Sequence, residues 1–273
     1  MQKVENIDET PLLQSTCYVQ CGDNLELLKS QPNESVNMIY CDILYGTGRN
    51  FGDYQDLNPI RSEIESHYLP RLIEMKRVLK QNGSIYLQMD TRINHWMRIL
   101  MDDIFGYDNF RNEIVWNYQN IMTSTTNYFR KEHDIILLYS KTSNYIFNKQ
   151  KIKTTPYKKS KRKHIDGKNM RLKNENGKID YEMCDEKYLG DVFILPNIAS
   201  TSKESVKYPT QKPKELISRF VLASTNEGDV VADYYLGSGT TAKVCQELNR
   251  NFIGCDLNPK AIEITNGRLD GGR

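Results

Sequence analysis

Two short segments of this chain combine residue types that could do chemistry. The first is Asp42-Ile-Leu-Tyr45-Gly-Thr-Gly-Arg-Asn-Phe51, which directly follows the apolar run Val36 to Tyr40. An acid followed three positions later by an aromatic, on a loop leaving a buried strand, sets a hydrogen-bond acceptor and a flat stacking surface at one point. A planar heterocycle bearing an amino group would satisfy both, and an Asp capping a turn beside a core Tyr would show the same spacing. The second segment is Asp233-Tyr-Tyr-Leu-Gly237-Ser-Gly239-Thr-Thr241, read as a strand end, a tight glycine turn and a helix start. Such glycines permit positive φ and close backbone approach, and the free amides of the helix N-terminus face a ligand. Ala242 stands where a dinucleotide fingerprint has its third glycine, and no Gly-Lys-Ser/Thr ending makes a phosphate loop. Asp256, seventeen residues past Gly239, ends the next apolar run, where a carboxylate can accept from both hydroxyls of a ribose. The segment therefore reads as a nucleoside site, with a plain tight turn as the alternative for its glycines.

The elements that must position these segments follow from periodicity. Seven strand-like runs are expected: Cys17 to Gln20, Val36 to Tyr40, Ser84 to Gln88, Glu113 to Tyr118, Asp134 to Tyr139, Asp229 to Asp233 and Asn251 to Cys255. Helical spacing appears after Asp23, over Tyr68 to Lys80 with Asn82-Gly83 as its stop, over Asn94 to Phe105, Lys214 to Ser224 and Thr240 to Leu248, and from Pro259. Glu113 to Tyr118 and Asp134 to Tyr139 lack a long helix between them, so an antiparallel pair at one sheet edge is expected. The alternation predicts one α/β domain with a seven-stranded, mostly parallel sheet. Its two parts are residues 1–140 and 204–273, and residues 141–203, rich in Lys, Asn and Tyr, form an insert.

Composition narrows the class. With 273 residues, 38% apolar and 26% charged, the chain is neither fibrous nor disordered. Its longest aliphatic stretch, Ile135 to Leu138, falls far short of the roughly 20 residues of a membrane helix, and its first thirty residues do not form a signal peptide. A cytoplasmic location is expected. The six cysteines show no Cys-x-x-Cys spacing and the four histidines no pairing, so no metal is indicated. Charge is lopsided: Lys149 to Lys178 holds twelve Lys or Arg against Asp166 and Glu175, a surplus of ten in a chain whose net charge is +2. With Tyr157, Asn169 and Asn174 interleaved, this stretch reads as a nucleic-acid footprint, in which cations meet phosphates and amides meet base edges.

Taken together, these segments resemble the β-class DNA amino-methyltransferases, the site-specific adenine-N6 or cytosine-N4 enzymes of restriction-modification type. In that family the catalytic Asp-Pro-Pro-Tyr motif precedes the target-recognition region and the S-adenosylmethionine motif comes last, a circularly permuted order. The matching stretches are Gly22-Asp23-Asn-Leu-Glu-Leu-Leu, Val36 to Phe51, Gly83-Ser-Ile-Tyr-Leu, His133-Asp-Ile-Ile-Leu-Leu-Tyr-Ser-Lys141, Tyr208-Pro-Thr-Gln-Lys-Pro213, Asn226 to Thr241 and Phe252-Ile-Gly-Cys-Asp256-Leu-Asn258. They span nearly the whole chain in the family's order.

The resemblance implies a Rossmann-like methyltransferase fold in which Gly237 to Gly239 and Asp42 to Tyr45 share one crevice. It implies catalytic roles for Asp42 and Tyr45, with Asp42 rather than Ser favouring adenine. For S-adenosylmethionine it implies Asp256 on the ribose, Asp23 on the adenine amino group, and Thr210 and Lys212 at the methionine end. Asp233 would order the loop, and Gly237, Ser238, Gly239, Thr240 and Asn258 would complete the site. Double-stranded DNA is the implied substrate, contacted by Lys158, Lys159, Lys161, Arg162, Lys163 and Arg171, with Phe51, Trp116 and Phe129 as candidates to hold a flipped base or fill its hole. A cognate restriction endonuclease and a second copy of the chain are further partners such an enzyme could have. Ile43 and Leu44 replace the family's two prolines, and Tyr234 replaces a third. Prolines fix φ and carbonyl direction, so two readings stand: an active enzyme whose loop is held by other packing, or a catalytically weakened DNA-binding paralogue. RNA or protein as the methyl acceptor is a third.

Overall fold

All seven expected strands lie in one sheet of the computed structural model, which describes residues 17–50, 55–119 and 127–271. The chain divides into two compact units, residues 1–147 with 191–273, and Asn148–Gly190.

In the larger unit, β1 (Cys17–Cys21), α1 (Asn24–Ser30), β2 (Val36–Asp42), α2 (Arg61–Val78), β3 (Leu79–Met89), α3 (Asn94–Phe105), β4 (Phe110–Asn117) and β5 (His133–Ser140) come first. In the smaller unit, β6 (Lys151–Ser160), β7 (Arg162–Ile165), β8 (Lys168–Arg171) and β9 (Tyr181–Tyr188) follow. The larger unit then resumes with β10 (Val192–Ile194), α4 (Lys214–Ser224), β11 (Val230–Asp233), α5 (Thr240–Glu247), β12 (Asn251–Asp256) and α6 (Pro259–Leu269). No described helix is long and apolar enough to cross a membrane.

The sheet order is β1-β12-β11-β2-β3-β5-β4-β10. β5 runs antiparallel to β3 and β4, as expected for that pair, and the remaining pairings are parallel. The sheet has eight strands rather than seven. The extra one, β10, is three residues pairing with Val115, Trp116 and Asn117, too short to show any periodicity. Six of the seven residues of β2 are buried, which is why it reads as an unbroken apolar run rather than an alternating one. The pairing that matters for function is β11 on β2, Val231 with Met38 and Ala232 with Ile39. It brings the carboxyl ends of two strands, far apart in sequence, side by side.

The boundary between α2 and β3 differs from expectation. The helix ends at Val78 because Leu79 turns extended and pairs with Val36, so Asn82-Gly83 lies inside β3 and does not stop a helix. The register shifts here, and a Cβ on Gly83 would sit 2.7 Å from the Asn37 carbonyl oxygen. That close approach, not a turn, requires glycine.

The smaller unit is built from two ribbons, β6 paired with β9 and β7 with β8, both antiparallel. It is narrower than the expected insert, because residues 141–147 and 191–203 belong to the larger unit. Most of its side chains are exposed, so it shows neither strand nor helix period in sequence.

Candidate active site

At the carboxyl ends of β2, β11 and β12 lies a cleft of about 480 Å³, lined among others by Asp42, Tyr45, Thr210, Gly237, Asp256 and Asn258. Open α/β sheets bind ligands at this edge.

The loop leaving β2 is held without prolines. Ile43 is buried and its N–H donates to the Gln88 carbonyl at 3.1 Å, a bond proline could not make. The Leu44 carbonyl accepts from the Tyr68 hydroxyl at 3.1 Å. Asp56, 4% exposed, then accepts from the Gly46 and Thr47 amides at 3.1 and 2.7 Å, from the Thr47 hydroxyl at 2.5 Å and from the Leu57 amide at 2.8 Å. The Gln88 carbonyl and the Tyr68 hydroxyl thus bracket the Ile43–Leu44 peptide, and Asp56 holds the chain just beyond Tyr45. Among the described residues, the Ile43 carbonyl itself has no hydrogen-bond partner.

Asp42 sits in a tight polar network. The Tyr45 hydroxyl lies 2.8 Å from Asp42 Oδ1 and 2.7 Å from Asp134 Oδ2, and Asp134 Oδ2 also accepts from Gln88 Nε2 at 2.9 Å. Gln88 is oriented in turn by the Tyr40 hydroxyl at 2.7 Å. The Tyr45 hydroxyl thus stands between two carboxylates. Burial raises the Asp134 pKa, and no cation contacts it at ion-pair distance among the described residues, whereas Asp42 pairs with Lys212. The Lys212 ammonium donates to Asp42 Oδ2 and to the Thr210 carbonyl, 3.2 Å away, and stands 5.5 Å from the Tyr45 ring centre.

The opposite wall is made of backbone. Asp256 accepts from the Gly237 amide at 2.8 Å and the Asn258 amide at 2.9 Å, and burial raises its pKa. Asn258 caps α6 through the Lys260 amide while its buried Nδ2 has no partner. Gly239 has φ +71°, and a Cβ there would meet the Thr265 hydroxyl at 2.3 Å, so no other residue fits. Asp233 accepts from the Thr241 hydroxyl at 2.6 Å and the Tyr235 amide at 3.0 Å, tying the loop to its own helix, and burial pushes its pKa up to about 7.

Among the remaining expected residues, Ser238 and Thr240 are buried under Arg268, whose guanidinium donates to the Ser238 carbonyl at 2.7 Å and the Thr240 hydroxyl at 3.2 Å. Asp23 caps α1 and forms an ion pair with Arg71 at 3.0 Å, and its neighbours Gly22 and Asn24 line the cleft. Trp116 is 1% exposed and donates to the Leu195 carbonyl at 2.9 Å, so it is a core residue with no face open to a base. Phe129 is 99% exposed, and Phe51 lies outside the described residues.

Several cleft residues carry no motif in sequence. His67 and Arg71, one turn apart on α2, line it, with His67 Nε2 3.1 Å from the Tyr235 hydroxyl. Burial and the neighbouring Arg71 lower the His67 pKa to about 4, so the ring is neutral at pH 7. The available signal was the i, i+4 spacing beside the buried Ile64 and Tyr68.

In the smaller unit, Lys161 pairs with Asp180 at 2.8 Å and Lys159 stands across from Glu182, whereas Lys158 faces Met183. The acids of β9 lie beyond the stretch whose charge stood out in sequence.

Residues 36–267 match the family described as DNA methylase. The type II methyltransferase M.HpaI of Haemophilus parainfluenzae is 32% identical over 252 residues, covering 92% of this chain and 73% of that protein. The DNA adenine methyltransferase YhdJ of Escherichia coli (strain K12) is 32% identical over 251 residues, 91% of this chain and 81% of that one. The crystal structure of the M1.HpyAVI–SAM complex superposes with a TM-score of 0.61 at 20% identity, covering 93% of this chain and all of that one. The chain belongs to the DNA methylase family, the amino-methyltransferases whose methyl donor is S-adenosylmethionine.

Proposed function

We propose that this protein methylates the exocyclic amino nitrogen of adenine in a nucleotide flipped out of duplex DNA at a fixed short sequence. The observation that carries this reading is the shared cleft: Asp42 and Tyr45 line it together with Gly237 and Asp256.

S-adenosylmethionine supplies an electrophilic methyl group on a sulfonium. The chain's residues fit it. The partnerless Asn258 Nδ2 in the cleft wall offers a donor, and the Asp256 carboxylate at the end of β12 offers acceptors for the ribose. Thr210, Gly237, Ser238 and Thr240 offer the loop side with Gly239 in its turn, Asp233 orders that loop, Lys212 stands beside it, and Asp23 is flanked by the cleft residues Gly22 and Asn24.

The adenine amino nitrogen is a poor nucleophile because its lone pair is delocalised into the ring. Asp42 and the unpartnered Ile43 carbonyl accept its two hydrogens, localise the lone pair and aim it across the cleft. The Tyr45 ring stacks on the extruded base, returning about 1–3 kcal/mol of the unstacking cost. Lys158, Lys159, Lys161 and Lys163 contribute cations toward the DNA backbone, and Arg162 and Arg171 lie on the same unit toward the DNA. The bracketed Ile43–Leu44 peptide favours an active enzyme over a weakened paralogue.

The test uses labelled methyl groups, duplex DNA and nucleoside analysis of the digested product. N6-methyladenine is expected, and Asp42→Ala should abolish it while cofactor binding survives. N4-methylcytosine would overturn the choice of base, and equal incorporation by the variant would remove Asp42 from the mechanism.

A further inference from the structure

We propose that one face of the β7–β8 ribbon reads guanine-containing base pairs from the major groove, and so sets part of the methylated sequence. The proposal rests on the DNA methyltransferase reading above and deepens it. Its turn is Asp166-Gly167, both at positive φ (+48° and +74°), the two-residue connection whose twist suits a tight hairpin. That turn fixes the register: Arg162 opposite Arg171, Lys163 opposite Met170, His164 opposite Asn169 and Ile165 opposite Lys168. Directly opposed residues share a face and alternate pairs change face. One face is therefore Arg162, Arg171, His164 and Asn169, and the other is Lys163, Met170, Ile165 and Lys168.

The first face is unusual for a solvated surface. Like charges directly opposite each other destabilise a two-stranded ribbon. Neither guanidinium has an ion-pair or hydrogen-bond partner among the described residues, although Lys151 and Lys161 of the same unit pair with Glu186 and Asp180. Beside the arginines, His164 Nδ1 lies 3.1 Å from Asn169 Oδ1, which orients the amide. Two forked donors and an oriented amide are the groups that address guanine O6/N7 and adenine N6/N7 edges, whereas lysine and aliphatic groups on the other face suit phosphates and apolar contact. A two-stranded ribbon fits the roughly 12 Å major groove of B-form DNA, while the narrow A-form groove of RNA excludes it.

The experiment expresses the full chain, Arg162→Ala, Arg171→Ala, the charge-keeping Arg162→Lys and Arg171→Lys, and a Lys163→Ala/Lys168→Ala control in a host free of DNA methylation, and maps modified bases by sequencing. The wild-type sequence should contain G·C pairs, and each Arg variant, Lys replacements included, should lose about tenfold or more discrimination at one of them. The Lys163→Ala/Lys168→Ala variant should methylate the same sequence at a reduced rate, since lost phosphate contacts weaken binding uniformly across sequences. An unchanged sequence in the Arg variants, an altered one in the control, or a wild-type site without G·C pairs overturns the proposal. If the wild type modifies no base, the transfer reading falls. Selection of bound duplexes from a random pool then decides the ribbon's role: guanines enriched by the wild type and lost in the Arg variants support it, and identical enrichment or equal binding of duplex RNA overturns it.

Discussion

Lys212 closes an ion pair on Asp42, joining residues 170 positions apart in the chain, with the ammonium and most of the carboxylate out of solvent. The Asp42 oxygen it occupies is one of the two acceptors available to an incoming amino group, and the other takes the Tyr45 hydroxyl. Under the proposed function, binding of a target base would exchange partners at Asp42. A double-mutant cycle of Lys212→Ala and Asp42→Ala, read by urea denaturation, should give a coupling of about 1–3 kcal/mol, because each single change strands a partly buried charge. Additive effects would show that the pair contributes nothing to the resting structure.

Asp56 holds the loop in which Ile43 and Leu44 stand where the family resemblance implies two prolines. Its four hydrogen bonds to Gly46, Thr47 and Leu57 hold the chain just past Tyr45. Asp56→Ala should lower kcat about 10- to 100-fold, the scale set by a misplacement near 1 Å. Cofactor Kd, measured by calorimetry, should stay within about twofold, since no Asp56 bond reaches the glycine loop on the other wall. A kcat near that of the wild type would mean that Tyr68 and Gln88 suffice to hold the loop.

What the sequence reveals follows from burial. Val36 to Tyr40 and Ile135 to Leu138 are strands covered on both faces, so they stand out as apolar runs, and the residues at their ends are found with them. Asp42 closes one such run and Asp256 another, and with Tyr45 and Gly237 they line one cleft. Asp56, Arg268 and Lys212 act through side-chain reach across the fold, and no local pattern announces which carboxylate or carbonyl they meet. Asp134 left one trace, an acid opening the run His133-Asp-Ile-Ile-Leu-Leu-Tyr, where solvent would favour it less than a partner. β6 through β9 bury little, so their pairing comes from turns and backbone rather than from any hydrophobic period.

Burial raises the Asp134 pKa, the direction of a neutral carboxyl, and two replacements test for that state. An amide reproduces the shape of a neutral carboxyl and can donate to the Tyr45 oxygen, so Asp134→Asn should keep initial methyl-transfer rates within about threefold. Asp134→Ala leaves Tyr45 and Gln88 without their buried partner and should cost about tenfold, the worth of one such hydrogen bond. If Asn were as damaging as Ala, Asp134 would be acting as an ionised carboxylate.

His67 makes stability depend on pH in a defined window. Its pKa is about 4 in the folded protein against 6.5 for the free side chain, with burial as the main cause. Between those values the unfolded chain binds a proton that the folded chain refuses, so stability present above pH 6.5 is lost as pH falls toward 4 and levels off below. Discounted for the ring's partial exposure, the loss is on the order of 1 kcal/mol. His67→Gln keeps a polar group facing the Tyr235 hydroxyl but does not titrate. Urea midpoints at pH 7.5, 6 and 5 should fall more steeply for the wild type than for the variant. Parallel slopes would place the imidazole in a solvated position, with its proton equilibrium untouched by folding.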